Sequence, residues 1–122
     1  MAPAIIGAPF LNLTYMKQLF IPTNKGLKVV MAENIIRIEA NSSYCKIFFD
    51  NEHPLTVAKV LHWFEEKLPY EYFYRIHRTH IVNRLFVSEI SGDSKLTLIN
   101  GDQLQVSRRK KNVVSQMTAI VM

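Results

Sequence analysis

The chain has a single cysteine, Cys45, so no disulfide can form within it. Its 122 residues must therefore be held by an apolar core, and that length suits one domain. A lone thiol fits a reducing, cytoplasmic setting. Long apolar runs are also missing: none approaches the roughly 20 residues needed to span a bilayer. The opening "MAPAIIGAPFLNLTYMK" is mildly apolar, has no basic start and is interrupted by Pro3 and Pro9, so it does not read as a signal peptide. No glycine-rich phosphate loop, internal repeat or low-complexity segment is present. Ser42, Ser43 and Ser107 sit in no nucleophile motif. Of the four histidines, His77 and His80 are spaced i, i+3, which suits neither one strand face nor a zinc-binding helix, and His53 and His62 fall elsewhere. Glu65 and Glu66 read as solvated helix surface. No enzyme, metal or cofactor is expected.

Acidic residues are scarce in one region only. Residues 1–74 carry seven Lys and Arg and seven Asp and Glu, whereas residues 75–122 carry eight against three, so the whole net charge of +5 lies C-terminally. Localised positive charge suits a polyanion: nucleic acid, an anionic membrane or an acidic protein. A solvated basic face without a partner is the alternative. The segment "RRKKNVVSQM" offers only small apolar residues beside its charge, which disfavours membrane binding.

What is present is mostly strand pattern. Residues 18–22, 27–32, 35–40, 43–50 and 53–57 form short apolar or alternating runs, separated by the turn signals Asn24-Lys25-Gly26, Asn41-Ser42-Ser43 and Asn51-Glu52. In the third run, Ile36, Ile38 and Ala40 are expected on one face and Arg37 and Glu39 on the other. In the fourth, Cys45, Ile47 and Phe49 share a face. Val57, Leu61, Phe64 and Leu68 then recur at helical spacing, widened by Val60 and Trp63, with Thr56 as N-cap and Pro69 ending the helix. Strands resume at 72–77, 86–91, 95–99 and 103–107, with Gly92-Asp93 and Asn100-Gly101 as turns. Residues 108–117 suit a terminal helix with Val113, Val114 and Met117 on its apolar face. One stretch is odd: "RIHRTHIVNR" (75–84) sets three arginines and two histidines among Ile76, Ile81 and Val82.

Phe73, Arg75, His77, Arg78, Thr79, His80, Val82 and Asn83, following Leu68-Pro69, resemble the signature stretch of the LytTR family of bacterial DNA-binding domains. Asn100-Gly101 and then Val106-Ser107-Arg108-Arg109 resemble its closing segment, and "IIRIEANSSYCKIFF" resembles its first hairpin. The resemblance spans roughly residues 27–117. It implies a mainly β fold: an elongated arrangement of small antiparallel sheets with one central helix and a short C-terminal helix. Residues 17–122 would form the domain and residues 1–16 a linker or N-terminal arm.

The resemblance further implies sequence-specific double-stranded DNA binding by a transcription regulator that reads DNA with loops. Such domains are often effectors of two-component response regulators, downstream of a receiver domain and a sensor kinase. Only some 25 residues precede the match, too few for a receiver, so an isolated effector domain and a stand-alone member both remain open. Direct repeats as target and a DNA-dependent homodimer follow from the same resemblance. Three loops are implied to meet DNA. Asn41, Ser43 and Lys46 belong to the first; Arg75, His77, Arg78, His80 and Arg84 lie in or beside the second; Arg108, Arg109, Lys110 and Lys111 belong to the third. Some relatives carry a basic or histidine side chain near Cys45; a thiol donates poorly, and Lys46 is the substitute. His77 has a second reading as a brace for its loop, and Asn83 as a turn cap. The alternative function is a basic-face module that binds an acidic protein.

Overall fold

The computed structural model describes residues 17–119. These form ten strands, two α-helices and three 3-10 turns. The strands are β1 (Gln18–Thr23), β2 (Gly26–Met31), β3 (Ile35–Asn41), β4 (Tyr44–Phe49), β5 (Leu55–Val57), β6 (Phe73–His77), β7 (His80–Asn83), β8 (Val87–Ile90), β9 (Lys95–Leu98) and β10 (Gln103–Gln105). The helices are α1 (Leu61–Lys67) and α2 (Lys111–Ala119). Three sheets result: a β1–β2 hairpin, a five-stranded sheet in the order β5-β4-β3-β7-β6, and a three-stranded sheet in the order β10-β9-β8. All pairings are antiparallel. The mainly β architecture of small antiparallel sheets expected from the sequence is therefore present.

The five-stranded sheet lies between two apolar clusters. On one face Ile35, Ile38, Cys45, Ile47 and Ile81 pack with Leu19 and Ile21 of the hairpin and with Leu61 and Phe64 of α1. On the other, Ile36, Ile76 and Val82 pack with Leu96, Leu98 and Leu104 and with Met117 of α2. Burial on both faces explains the odd stretch. Neighbouring Ile81 and Val82 point to opposite faces and both are buried. The segment is two strands, since Arg78-Thr79 is a turn joining β6 to β7; β7 is absent from the strands read at 72–77 and 86–91.

Two further expectations are corrected, the face of Ile36 and the helix cap at Thr56. A β-bulge between Ile35 and Arg37 makes Ile36 the unpaired residue. Ile36 therefore joins the second cluster, opposite Ile38, instead of sharing its face. Arg37 does face away from Ile38 as read, and it is buried there: its guanidinium stacks 3.8 Å over Phe48 and binds Glu39 at 2.9 Å and Asp102 at 3.0 Å. Second, Thr56 and Val57 belong to β5, paired with Lys46 and Cys45, so Thr56 caps nothing. The helix starts at Leu61 after an extended, exposed Val60, with no side-chain cap. Its end is as read, with an extended Leu68 immediately before Pro69.

Candidate nucleic-acid interface

The β3–β4 and β6–β7 turns lie at the same end of the five-stranded sheet. The register Glu39↔His80 and the bond from the Ala40 N–H to the Thr79 carbonyl (2.8 Å) hold them side by side. The third segment is tied to the same end by the Ser107 N–H, which donates to the Ile76 carbonyl (2.9 Å). Ser107 then starts the Arg108–Lys110 turn, its Oγ accepting from the Arg109 N–H at 3.3 Å. Asn100-Gly101 does comparable work one hairpin earlier. Gly101 sits at φ +96°, a conformation that glycine adopts without strain.

Arg78, Arg108, Arg109 and Lys111 are exposed, Lys110 is half-buried, and none of them forms an ion pair among the described residues. Arg78, Arg109 and Lys110 line one depression of about 470 Å³, with Arg75, His77, Ser107 and Glu65. Asn41, Ser43 and Lys46 are exposed on the adjoining turn, where Ser42 takes φ +60°. Asn41, Ser42, Tyr44 and Lys46 frame a second depression of about 340 Å³. Cys45 also borders this depression, but its side chain is fully buried in the core, and burial raises its thiol pKa although Arg75 opposes this. It is thus a core residue, not an accessible thiolate.

The remaining candidates are placed differently. Arg75 is paired, its Nη1 donating to Glu65 at 2.9 Å and its Nη2 to the Arg78 carbonyl at 2.7 Å. Arg84 follows the far end of β7, away from the Arg78 turn, and its buried Nε has no hydrogen-bond partner among the described residues. His77 and His80 are half-buried with rings edge to face, 5.9 Å apart. Thr79 Oγ1 lies 2.9 Å from Nδ1 of both, and the Thr79 N–H donates to His77 Nδ1 at 3.2 Å. His77 is thus built into the turn that presents Arg78. Asn83 is fully buried and caps the Arg84–Phe86 turn, its Oδ1 accepting from the Leu85 N–H at 2.8 Å. Sequence reading missed Glu65 as a neighbour of the site; it read as solvated surface because its partner Arg75 lies ten residues away.

His80 titrates below the ordinary histidine range. Burial is the main cause, Glu39 opposes it, and Arg37 and His77 add to it. As pH falls, the unfolded chain takes up this proton first, so stability tied to neutral His80 is complete above pH 6.5 and lost below it. Replacing His80 by Gln is expected to reduce the drop in urea stability between about pH 7.5 and 5.5. Parallel pH profiles for the two proteins would refute this.

Among the described residues, no three or more His, Cys, Asp or Glu side chains are grouped so as to hold a metal ion, and no helix is long and apolar enough to cross a membrane. The expected arm at residues 1–16 lies outside the described residues. A comparison with curated protein sequences finds no match. The fold is similar to a solved LytTr DNA-binding domain of a Bacillus cereus protein described as a methyl-accepting/DNA response regulator. That similarity has a TM-score of 0.70 and 26% identity, over 83% of this chain and 95% of the other. A family model for the LytTr DNA-binding domain matches residues 25–119, and with the sheets and loops as described, the chain belongs to this family.

Proposed function

We propose that the chain binds double-stranded DNA sequence-specifically through the loop end of its five-stranded sheet, as the effector part of a transcription regulator. The observation that carries this reading is the convergence of Arg78 and Arg109, both without ion-pair partners, on one open depression flanked by Lys110. Membership of a DNA-binding domain family supports it. A guanidinium presents a planar fork that matches guanine O6 and N7 in the major groove, as well as phosphate. Lysine ammonium groups on the neighbouring turn and helix suit the backbone. Loops are short enough here to enter a groove that is ~12 Å wide, so no recognition helix is required. On direct repeats, two copies would lie head to tail, and dimerisation would then depend on DNA.

The test is selection of bound duplexes from a random pool, then affinity for the selected site and for scrambled duplexes across salt. With about four to six phosphates contacted, log K is expected to fall against log salt with a slope near −0.9 per contact. A clear preference for the selected site should persist at each salt concentration. A flat salt response, or equal affinity for scrambled duplexes, counts against the reading and leaves an acidic protein as the partner of the basic face.

A further inference from the structure

We infer that Arg75 is a positioning residue: clamped by Glu65, it holds the turn from which Arg78 reads DNA and so sets sequence discrimination without touching DNA itself. This rests on the DNA-binding reading above.

The geometry separates Arg75 from its neighbours. Its guanidinium spends one nitrogen on Glu65 Oε1 (2.9 Å) and another on the backbone carbonyl of Arg78 (2.7 Å). Its side chain is 24% exposed. Two of its five N–H donors are thus engaged and its charge faces a carboxylate, so its attraction for a phosphate is weakened and its orientation is set by the turn. Arg78, one turn further on, has neither kind of partner.

The clamp acts on the turn from one side. From the other, Thr79 is held by His77, His80 and the Ala40 N–H. The Arg78 backbone is therefore fixed through both flanks, while its side chain stays free. This is what a base-reading group needs, since a bidentate contact is lost when its donor plane is misplaced by a fraction of an ångström.

Glu65 supplies the fixed end. Leu61, Phe64 and Leu68 anchor α1 to the core, so a carboxylate on its outer side has a defined position. His62 also approaches Glu65, at 3.5 Å. A carboxylate lining a cation-rich depression repels phosphate, and its pairing with Arg75 gives it a role there.

The experiment uses the full chain, the selected duplex, its single-base variants and a scrambled duplex, with Arg75→Lys, Arg75→Gln and Glu65→Gln. Thermal melts establish that each protein is folded at the assay temperature. Arg75→Lys keeps the charge but not the two-pronged geometry. It is expected to leave affinity for scrambled DNA and the salt slope unchanged, while preference over the relevant single-base variants falls about tenfold. Glu65→Gln removes the clamp's anchor and releases the Arg75 cation. It is expected to strengthen binding to every duplex, steepen the salt slope by about one contact, and lower discrimination.

Retention of full discrimination by Arg75→Lys overturns the inference. So does a loss of affinity spread evenly over all duplexes in Arg75→Gln together with a salt slope shallower by about one, because that marks a phosphate contact. Should Arg75→Gln fail to fold, the Arg75→Lys and Glu65→Gln arms still decide. Equal affinity of the unaltered protein for selected and scrambled duplexes overturns the DNA reading itself, an outcome distinct from failure of the positioning role alone.

Discussion

Replacing Arg78 or Arg109 by alanine is expected to cost about 1–3 kcal/mol of affinity for the selected duplex and to relax its preference at one or two base pairs. Both side chains are exposed and free of ion-pair partners among the described residues, so truncation strands no buried carboxylate and the loss reports on the DNA contact. Neither arginine pairs with Glu39 or Glu89 among the described residues; Glu39 pairs with Arg37 instead. The two arginines reach the same depression from different loops, so each should affect its own base pairs. Lys110 and Lys111 serve as the contrast. Lys110 ends the Arg108–Lys110 turn and Lys111 opens α2, where a flexible ammonium suits phosphate. Alanine at either is expected to weaken all duplexes alike and to lower the salt slope by about one. The measurement is the affinity of each variant for the selected site and for all of its single-base mutants. Even losses across every duplex for both Arg78→Ala and Arg109→Ala would make those arginines backbone holders and remove the base-reading assignment.

The positions of these loops were partly legible in the sequence, and the reasons differ from residue to residue. Turn signals located the hairpins because Asn, Ser and Gly tolerate the positive φ that tight turns demand, as at Gly26 and Gly101. Pro69 marked the end of α1 because the residue before proline avoids helical backbone. Faces were legible only where the ladder was regular. Cys45, Ile47 and Phe49 alternate inward as read, whereas one extra residue beside Ile35 reversed Ile36 relative to Ile38. A bulge is a backbone irregularity with no required side chain, so composition does not announce it. Val57 was ambiguous for another reason: an apolar residue satisfies a strand or a helix equally, and β4 took it as an edge partner. Charges were hardest. Arg37 and Asp102 meet across 65 positions and Arg75 and Glu65 across ten. Nothing local tells such an arginine from Arg78, which stands free. The residues that position the loops were therefore less legible than the loops.

Asn83→Ala is expected to give the largest loss of stability among these substitutions, about 1–3 kcal/mol for each of two stranded partners. Asn83 is fully buried and uses both ends of its amide. Nδ2 donates to the Ile35 carbonyl at 2.9 Å, and Oδ1 accepts from the Leu85 N–H at 2.8 Å. Ile35 is itself fully buried, so its carbonyl has no access to bulk water once Nδ2 is gone. The Leu85 N–H is only partly buried and should fall at the low end of that range. Geometry adds to the cost. The β3–β7 ladder runs from Glu39↔His80 to Arg37↔Val82, and the Asn83 amide extends the tie one step further, past the bulge, to Ile35. Alanine at this position removes that step and leaves a cavity the size of an amide. Aspartate does not rescue, since it keeps the acceptor but sets a carboxylate against the Ile35 carbonyl oxygen. Urea unfolding followed by two probes gives the loss, with an unchanged m-value showing that the folded state stays compact. Asn83 lies at the opposite end of β7 from the Arg78 turn, so the folded fraction of Asn83→Ala should keep the affinity and base preference of the parent chain. Unchanged stability together with lost DNA affinity would reverse the assignment and place Asn83 among the DNA contacts.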